Sequence, residues 1–156
     1  MNPKNENAHS NLGSALRHKG KWDGAIAEYR ETLRLNPNVA LAHSGLGLAL
    51  GNKGDVDGEI AECREALRLD PNLAEAHAGL GVALGSKSDF DGMIAEEREA
   101  LRLDPNNAWA HFGLGAALER KGDRRRALEE YRAAYTLDPK NANFKHDYER
   151  LLRRSR

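Results

Sequence analysis

Apolar residues along this chain follow the three-to-four-residue spacing of amphipathic helices, and the whole pattern returns every 34 positions. Three series carry this period most clearly, one of histidines, one of leucines and one of prolines. They are His9, His43, His77 and His111; Leu12, Leu46, Leu80 and Leu114; and Pro37, Pro71, Pro105 and Pro139. Residues 40–73 and 74–107 are identical at 25 of their 34 positions. A period of about 20–50 residues indicates an array of stacked units.

Each period divides into two helical segments joined by short turns, which leaves no room for a strand. We expect the first helix of each unit at residues 7–19, 41–53, 75–87 and 109–121. We expect the second helix at residues 23–35, 57–69, 91–103 and 125–137. An Asn-Pro or Asp-Pro pair then ends the second helix, because proline disfavours the helical conformation in the residue before it.

The turn between the two helices has its own residue pattern. Glycine follows the first helix in three units, where a left-handed conformation needs a residue without a Cβ atom. These glycines are Gly20, Gly54 and Gly122. Ser88 takes the position in the third unit, at a small expected cost. Three carboxylates are expected to cap the second helix. They are Asp23, Asp57 and Asp91.

The units resemble the tetratricopeptide repeat, whose pattern is an aromatic residue, Leu-Gly, a second aromatic residue, then Ala, an aromatic residue and Pro. The first unit corresponds to it at His9, Leu12, Gly13, Leu16, Ala25, Tyr29 and Pro37. The fourth corresponds to it at His111, Leu114, Gly115, Leu118, Ala127, Tyr131 and Pro139. The middle units depart in the second helix. There Glu59 and Met93 replace the small Ala, and Cys63 and Glu97 replace the aromatic residue.

The resemblance implies an all-α fold, a right-handed superhelical solenoid of helix-turn-helix repeats. The four repeats are then residues 6–39, 40–73, 74–107 and 108–141. We interpret residues 1–5 as the remnant of a preceding repeat, because Asn2-Pro3 matches Asn36-Pro37 one period earlier. We interpret residues 142–156 as a C-terminal capping helix and a basic tail. The apolar residues of that helix follow helical spacing at Phe144, Tyr148, Leu151 and Leu152. A helix that awaits a partner is the alternative.

The charge balance bears on the class of partner. The 24 Lys and Arg residues equal the 24 Asp and Glu residues, which argues against nucleic acid, since phosphate binding needs a surplus of cations. Along the chain, the net charge is +2 for residues 1–39, −3 for 40–73, −4 for 74–107 and +5 for 108–156. No apolar run is long enough to span a membrane, and the polar N-terminus lacks a signal-peptide pattern. We therefore expect no membrane partner and a cytoplasmic location.

The residue pattern of an enzyme or a metal site is missing from the sequence. The periodic histidines fall on stacked helices about 8–10 Å apart, too far to converge on one ion, so we interpret them as packing residues. We interpret Cys63, the one cysteine, as a small buried side chain. We expect no enzymatic activity, no catalytic residue, no cofactor and no metal.

In the tetratricopeptide family the first helices line a concave groove that binds extended peptides or helices. The resemblance places twelve groove residues in repeats two to four. They are Leu41, Ser44, Leu48, Asn52, Glu75, Ala78, Val82, Ser86, Trp109, Phe112, Ala116 and Arg120. Four of the nine differences between repeats two and three fall in this set, which fits either a variable recognition surface or drift at exposed positions. Trp109 and Phe112 are the expected anchors, since aromatic residues often dominate binding; the alternative for Trp109 is packing on the preceding repeat.

Glycines occupy two further groove positions, Gly51 and Gly85. Neither has an evident packing role, so we expect them to let a ligand backbone approach and to make repeats two and three the softest. The family's clamp for an acidic chaperone tail uses Lys, Arg and Asn side chains. Its positions here hold Ser10, Ser14, Gly45, Glu75 and Gly79. Binding of such an acidic tail is therefore not expected.

The sequence thus predicts a protein–protein interaction scaffold whose concave groove holds a peptide or a helix. Two alternatives stay open. One is a self-assembling structural array, in which repeats of two copies stack on each other. The other is an engineered or consensus-like array with no cellular partner, which the high identity of the two middle repeats suggests.

Overall fold

The computed structural model of the chain describes residues 3–154, with side chains from residue 5 onward. Over that range it contains nine α-helices and no strand. The helices are α1 (Pro3–His18), α2 (Trp22–Leu35), α3 (Ala40–Asn52), α4 (Val56–Leu69), α5 (Ala74–Ser86), α6 (Phe90–Leu103), α7 (Ala108–Arg120), α8 (Arg124–Leu137) and α9 (Ala142–Arg154). None of these helices combines the length and the apolar character that crossing a lipid bilayer requires.

The helix boundaries follow the 34-residue period closely. From α2 to α8 each end lies within one residue of the position expected from the sequence. Helix α1 differs, because it begins at Pro3 rather than near residue 7. Proline is well suited to the first turn of a helix, where its missing N–H leaves no hydrogen bond unmade. The interpretation of residues 1–5 as a remnant of another repeat stays a prediction, and residues 1 and 2 lie outside the described residues.

The helices stack into an all-α helical-repeat solenoid. The two helices of each repeat pack on each other, and the second helix packs on the first helix of the following repeat. First helices also contact the first helices of neighbouring repeats, as α1 does α3, α3 does α5 and α5 does α7. The first helices are therefore closer together than the second helices, and they form the inner, concave face. Each repeat contacts only its neighbours, as expected for a solenoid.

The turn after each first helix has the left-handed conformation that the glycine pattern predicts. The three glycines there have φ angles of +68° at Gly20, +89° at Gly54 and +85° at Gly122. Ser88 takes the same conformation with φ of +65°. A side chain with a Cβ atom is strained in this region, so the third repeat bears a cost that the other three avoid.

The expected caps of the second helices are wrong, because these helices begin one residue earlier than expected. In repeats two to four, the carboxylate immediately before the second helix accepts the capping hydrogen bond from a backbone N–H. These caps are Asp55, Asp89 and Asp123. In repeat one this position holds Lys21, whose side chain makes no capping hydrogen bond. The expected residues lie in the first turn instead, and each pairs with a lysine of the next repeat. The pairs are Asp23–Lys53 at 3.0 Å, Asp57–Lys87 at 2.8 Å, and Asp91–Lys121.

The periodic histidines have a structural role, which consists of hydrogen bonding in addition to the packing expected from the sequence. Nδ1 of His43 lies 2.6 Å from Oε2 of Glu62 in the same repeat. Its Nε2 lies 2.9 Å from the carbonyl oxygen of Pro37 in the preceding turn. His77 and His111 repeat both contacts. The hydrogen bond to Glu130 raises the pKa of His111. The series therefore links neighbouring repeats.

Helix α9 lies against α8 and covers the end of the fourth repeat. Phe144 and Leu151 are fully buried there. Tyr148 stacks on Tyr135, with ring centroids 5.8 Å apart. Arg150 donates two hydrogen bonds, of 2.6 and 2.7 Å, to the carboxylate of Glu119 on α7. These contacts place α9 where the first helix of a fifth repeat would pack.

We expect Ser88→Gly to stabilise the array by about 1 kcal/mol, because glycine adopts the left-handed conformation without the clash of a Cβ atom. The matched variant is Gly54→Ser, which should lower the free energy of unfolding by a similar amount. Urea denaturation followed by circular dichroism measures both. A lower denaturation midpoint for Ser88→Gly than for the parent chain would contradict this account of the turn.

Candidate functional site

The concave face contains one large cavity, of about 630 Å³, at the centre of the array. Both helices of repeats two and three contribute to its wall, together with residues of repeats one and four. The lining residues are Arg17, Trp22, Leu48, Asn52, Glu59, Glu75, Ala78, Gly79, Val82, Met93, Glu97, Asn107, Trp109, Phe112, Gly113 and Ala116. Most of this wall is apolar, so the cavity is suited to an apolar or amphipathic ligand group.

Eight of the twelve groove residues expected from the sequence line this cavity. They are Leu48, Asn52, Glu75, Ala78, Val82, Trp109, Phe112 and Ala116. The other four lie elsewhere. Ser44 is 2% exposed, so its expected surface position is wrong. Leu41 is exposed outside the cavity, Ser86 donates a hydrogen bond to the Val82 carbonyl oxygen, and the Arg120 guanidinium lies 6.0 Å from the centre of the Phe90 ring.

The cavity exists because two aromatic rings are missing from the stack. In repeat one, the ring of Tyr29 lies between Gly13 and Gly45, and a Cβ atom at Gly13 would come within 3.0 Å of it. In repeat three, the equivalent glycines are Gly81 and Gly113, but the side chain between them is Glu97. A carboxylate is smaller than a phenol ring. Space that is occupied by tyrosine in repeat one therefore opens toward the concave face.

Repeat two has the same vacancy, filled in another way. Cys63 takes the place of the ring, and its Sγ atom would lie 3.0 Å from a Cβ atom at Gly47. Leu48 fills part of the remaining space, since its Cδ2 atom would lie 2.7 Å from a Cβ atom at Gly79. Cys63 is fully buried, as expected, and burial raises the pKa of its thiol to about 12. It is therefore a packing residue and not a reactive thiol.

The expectation that Gly51 and Gly85 admit a ligand backbone is wrong. A Cβ atom at Gly51 would overlap the carboxylate of Glu59, and one at Gly85 would overlap the sulfur of Met93. In repeats one and four, the position of Glu59 and Met93 holds a small residue, Ala25 for example. The glycines thus make room for large side chains of the neighbouring second helix, which is a packing role.

Two carboxyl groups of the cavity wall are buried away from solvent. Glu97 is 0% exposed, and neither of its carboxyl oxygens has a hydrogen-bond partner. Burial raises its pKa to about 9, with a further contribution from the neighbouring charge of Glu96. Glu59 is 7% exposed, and burial raises its pKa to about 7. At neutral pH Glu97 is therefore a neutral acid, and Glu59 titrates there.

An ion pair crosses the concave face beside these acids. Nη2 of Arg17 in repeat one lies 2.8 Å from Oε1 of Glu75 in repeat three, so the contact skips repeat two. Arg17 is the one cation among the described residues that line the cavity. Because Glu75 engages it, the two buried carboxyl groups receive no compensation from this arginine.

Aromatic side chains form the C-terminal end of the cavity. Trp109 is 58% exposed, and its indole meets the Phe112 ring edge-on at 5.9 Å between centroids. It also contacts Phe144 of α9, with centroids 4.8 Å apart. Trp109 therefore packs on the following helix, while one side of its ring remains open to a ligand.

The other half of the lining lies outside the twelve groove residues expected in repeats two to four. These residues are Arg17, Trp22, Glu59, Gly79, Met93, Glu97, Asn107 and Gly113. The signal that could have found the buried acids lies in paired substitutions. Where the second helix has Glu59 or Met93 in place of Ala, the facing first helix has glycine. Where the tyrosine is lost, its two flanking glycines are retained, and this combination predicts a void.

Within the described part of the chain, no cluster of three or more His, Cys, Asp or Glu side chains could hold a metal ion. The periodic histidines pair with four separate glutamates, one in each repeat. They therefore do not converge on one point.

The raised pKa of Glu97 makes stability depend on pH. Between its ordinary value of 4.5 and about 9, the unfolded chain has released this proton and the folded chain retains it. The free energy of unfolding should therefore fall as the pH rises through this window, by up to about 1.4 kcal/mol per pH unit. Glu97→Gln should flatten this fall, whereas Glu149→Gln, on the exposed face of α9, should not. Urea denaturation at several pH values measures it, and parallel curves for the parent and Glu97→Gln would contradict it.

Comparison with known proteins identifies the family. Models of the tetratricopeptide repeat match residues 1–39, 10–74 and 108–141, and a TPR repeat model matches residues 89–122. No curated protein sequence matches the chain. The crystal structure of MamA is 25% identical with a TM-score of 0.76, over 92% of this chain and 84% of MamA.

Two further solved structures share the fold. PilF of Pseudomonas aeruginosa is 20% identical, with a TM-score of 0.85 over 97% of this chain and 69% of PilF. YrrB, described as a TPR protein with an unusual peptide-binding site, is 22% identical, with a TM-score of 0.72 over 94% of this chain and 76% of YrrB. The repeat matches and the architecture agree, and the chain belongs to the tetratricopeptide repeat family.

Proposed function

We propose that this protein is a non-enzymatic interaction scaffold that binds an extended peptide or a helix in its concave cavity. Membership in the tetratricopeptide repeat family supports a protein-interaction scaffold in general. The observation that supports a concave site in particular is the cavity of about 630 Å³, open on the inner face and walled mainly by apolar side chains. Apolar surface of this kind usually marks a binding site.

The residues of the cavity suit a peptide better than a flat protein surface. Trp109 and Phe112 form an aromatic end, and Leu48 and Val82 form an aliphatic wall. Asn52 and Asn107 supply side-chain amides that can hydrogen-bond a peptide backbone. A side chain inserted between the aromatic and the aliphatic wall would be shielded from water on both sides, which is the usual arrangement of a binding hot spot.

Stacking of two copies is the less favoured function, because the ends of the array do not match. Helix α9 covers the last repeat, and its aromatic contacts are already made. The ladder of Asp–Lys pairs also ends there, since Arg125 occupies the position of Asp91 one period later. A second copy stacked on this end would bring Lys19, the first lysine of its own ladder, against Arg125. Like charges at that contact oppose association.

We expect Trp109→Ala to weaken peptide binding by about 2 kcal/mol, because the exposed indole supplies the largest aromatic surface of the cavity. The probes are peptides selected on the parent protein from a phage-displayed library of random twelve-residue sequences. Isothermal titration calorimetry measures the affinity, and circular dichroism checks that the array stays helical.

Leu137→Ala is the matched control, since Leu137 is an exposed apolar residue outside the cavity. It should leave the affinity unchanged. If Trp109→Ala binds the selected peptides as tightly as the parent, or if both variants lose affinity equally, the concave cavity is not the binding site.

A further inference from the structure

We propose that the cavity recognises a peptide through a lysine or arginine side chain, whose cation pairs with the buried carboxyl group of Glu97. This inference rests on the proposed function and specifies its ligand: a basic residue flanked by apolar residues. The clamp expected from the family takes an acidic tail through basic side chains. The cavity of this chain has the opposite charge.

Glu97 lacks a partner that it needs. Both carboxyl oxygens are buried without a hydrogen bond, although a buried polar group in a native protein is normally satisfied. Leaving such a group unpaired destabilises the fold, and more so when the group is charged. The two tyrosines at the equivalent position, Tyr29 and Tyr131, show that the fold does not require an acid there. A hydrogen-bond donor on a ligand would explain why repeat three has a glutamate at this position.

Glu97 lies at the wall of the cavity. Its carboxyl group lies against Gly113, where a Cβ atom would overlap it, and both residues line the cavity. Both carboxyl oxygens are covered in the free protein. A long, unbranched side chain that enters from the concave face therefore pairs with them once the Glu97 side chain turns toward the cavity.

The charge around the site also favours a cation from outside. Glu59 adds a second buried carboxyl group to the same wall, and Arg17 is already paired with Glu75. On α5, His77 is bound to Glu96 of α6. Arg98 follows Glu97 on α6, but its side chain is exposed, and no described residue of these two helices that lines the cavity is a cation.

The helix on the other side of Glu97 supplies no cation either. The α7 residues that line the cavity are Trp109, Phe112, Gly113 and Ala116, all uncharged. The charged residues of α7 have other contacts. His111 is bound to Glu130, Glu119 to Arg150, and Arg120 lies over the Phe90 ring. The surroundings of Glu97 therefore favour a cation that arrives with a ligand.

The apolar wall determines which cation fits. A small inorganic ion would have to give up its hydration shell beside the apolar side chains of Leu48, Val82 and Phe112. It would gain only one carboxyl group as a ligand. A lysine or arginine buries its methylene groups along such a wall and carries the charge at its end. The aromatic rings of Trp109 and Phe112 attract the same charge through their faces.

Pairing with a cation also moves a proton. Before binding, Glu97 holds its proton at neutral pH because burial raises its pKa to about 9. A lysine ammonium placed beside it favours the carboxylate, so the proton leaves the O–H bond of Glu97 and passes to the buffer as the ion pair forms. Binding at pH 7 should therefore release protons, and this release distinguishes an ion pair from simple filling of the cavity.

The test begins with selection from the phage-displayed library of random twelve-residue peptides on the parent protein, on Glu97→Gln and on Glu97→Tyr. The glutamine variant keeps the shape of Glu97 without its charge. The tyrosine variant restores the residue found at this position in repeats one and four, between glycines that already accommodate it. We expect the parent to enrich peptides with Lys or Arg at one fixed position between apolar residues, and both variants to lose that preference.

Calorimetry on a selected peptide follows, in phosphate and in Tris buffer at pH 7. Replacing its basic residue with acetyl-lysine should weaken binding to the parent by about tenfold or more, and should change nothing in Glu97→Gln. The difference in heat between the buffers should show proton release for the parent and none for Glu97→Gln.

Each outcome decides between the two proposals. Peptides that lose affinity in Trp109→Ala but carry no preferred basic residue would overturn the role of Glu97 and leave the peptide-binding cavity standing. Selection that yields no peptide for the cavity would overturn both. Self-association of the parent in analytical ultracentrifugation, lost in Glu97→Gln, would make a second copy the occupant and overturn the peptide ligand.

Discussion

The close approach of neighbouring helices at glycine is the constraint on which the rest of this structure depends. Along each first helix, glycine faces the large residue of a second helix, as Gly13 and Gly45 face the ring of Tyr29. Without a Cβ atom the helices come close enough for one side chain to fill the gap between three helices. Protein interiors are packed so densely that a change in side-chain volume at one such position requires a compensating change at another.

The two middle repeats show this exchange most clearly. The position that holds a small residue in the outer repeats holds Glu59 or Met93 in the middle repeats. The facing position of the first helix is then glycine, Gly51 or Gly85, which makes room for the larger side chain. At the tyrosine position the change runs the other way, to Cys63 and Glu97, and Leu48 fills only part of the space that the rings would occupy. The space that stays unfilled is the origin of the central cavity. Polar contacts away from the cavity hold neighbouring repeats together independently of it, among them the hydrogen bond from His43 to the Pro37 carbonyl oxygen and the lysine–aspartate pairs.

Much of the fold could be predicted from the sequence because the same local pattern of helix-forming, turn and apolar residues occurs four times. The positions of α2 to α8, the left-handed turn at Ser88 and the burial of Cys63 all follow from residue type and spacing. The caps were misplaced by two residues, since Asp55 and Asp57 are both suitable and only the backbone decides which one begins the helix. Ser44 was misplaced because an exposed position in the family pattern can be covered by a neighbouring repeat.

The site was predictable only in outline. Residues of the first helices, such as Trp109, are identified by their register in the repeat. The buried acids lie on the second helices, and their importance depends on empty space, which no single position reveals. Their effect on charge is also a property of the fold. The net charge of −4 counted for residues 74–107 includes Glu97, which is neutral at pH 7 in the folded chain.

The state of Glu97 can be measured directly by nuclear magnetic resonance on protein labelled with ¹³C at the glutamate carboxyl carbon, with Glu97→Gln to assign the signal. The account predicts that this carboxyl group titrates near pH 9 in the free protein, and at a lower pH when a peptide with a basic residue is bound. Titration near the ordinary value of 4.5 in the free protein would show that the carboxylate is already solvated or paired, and would contradict the account.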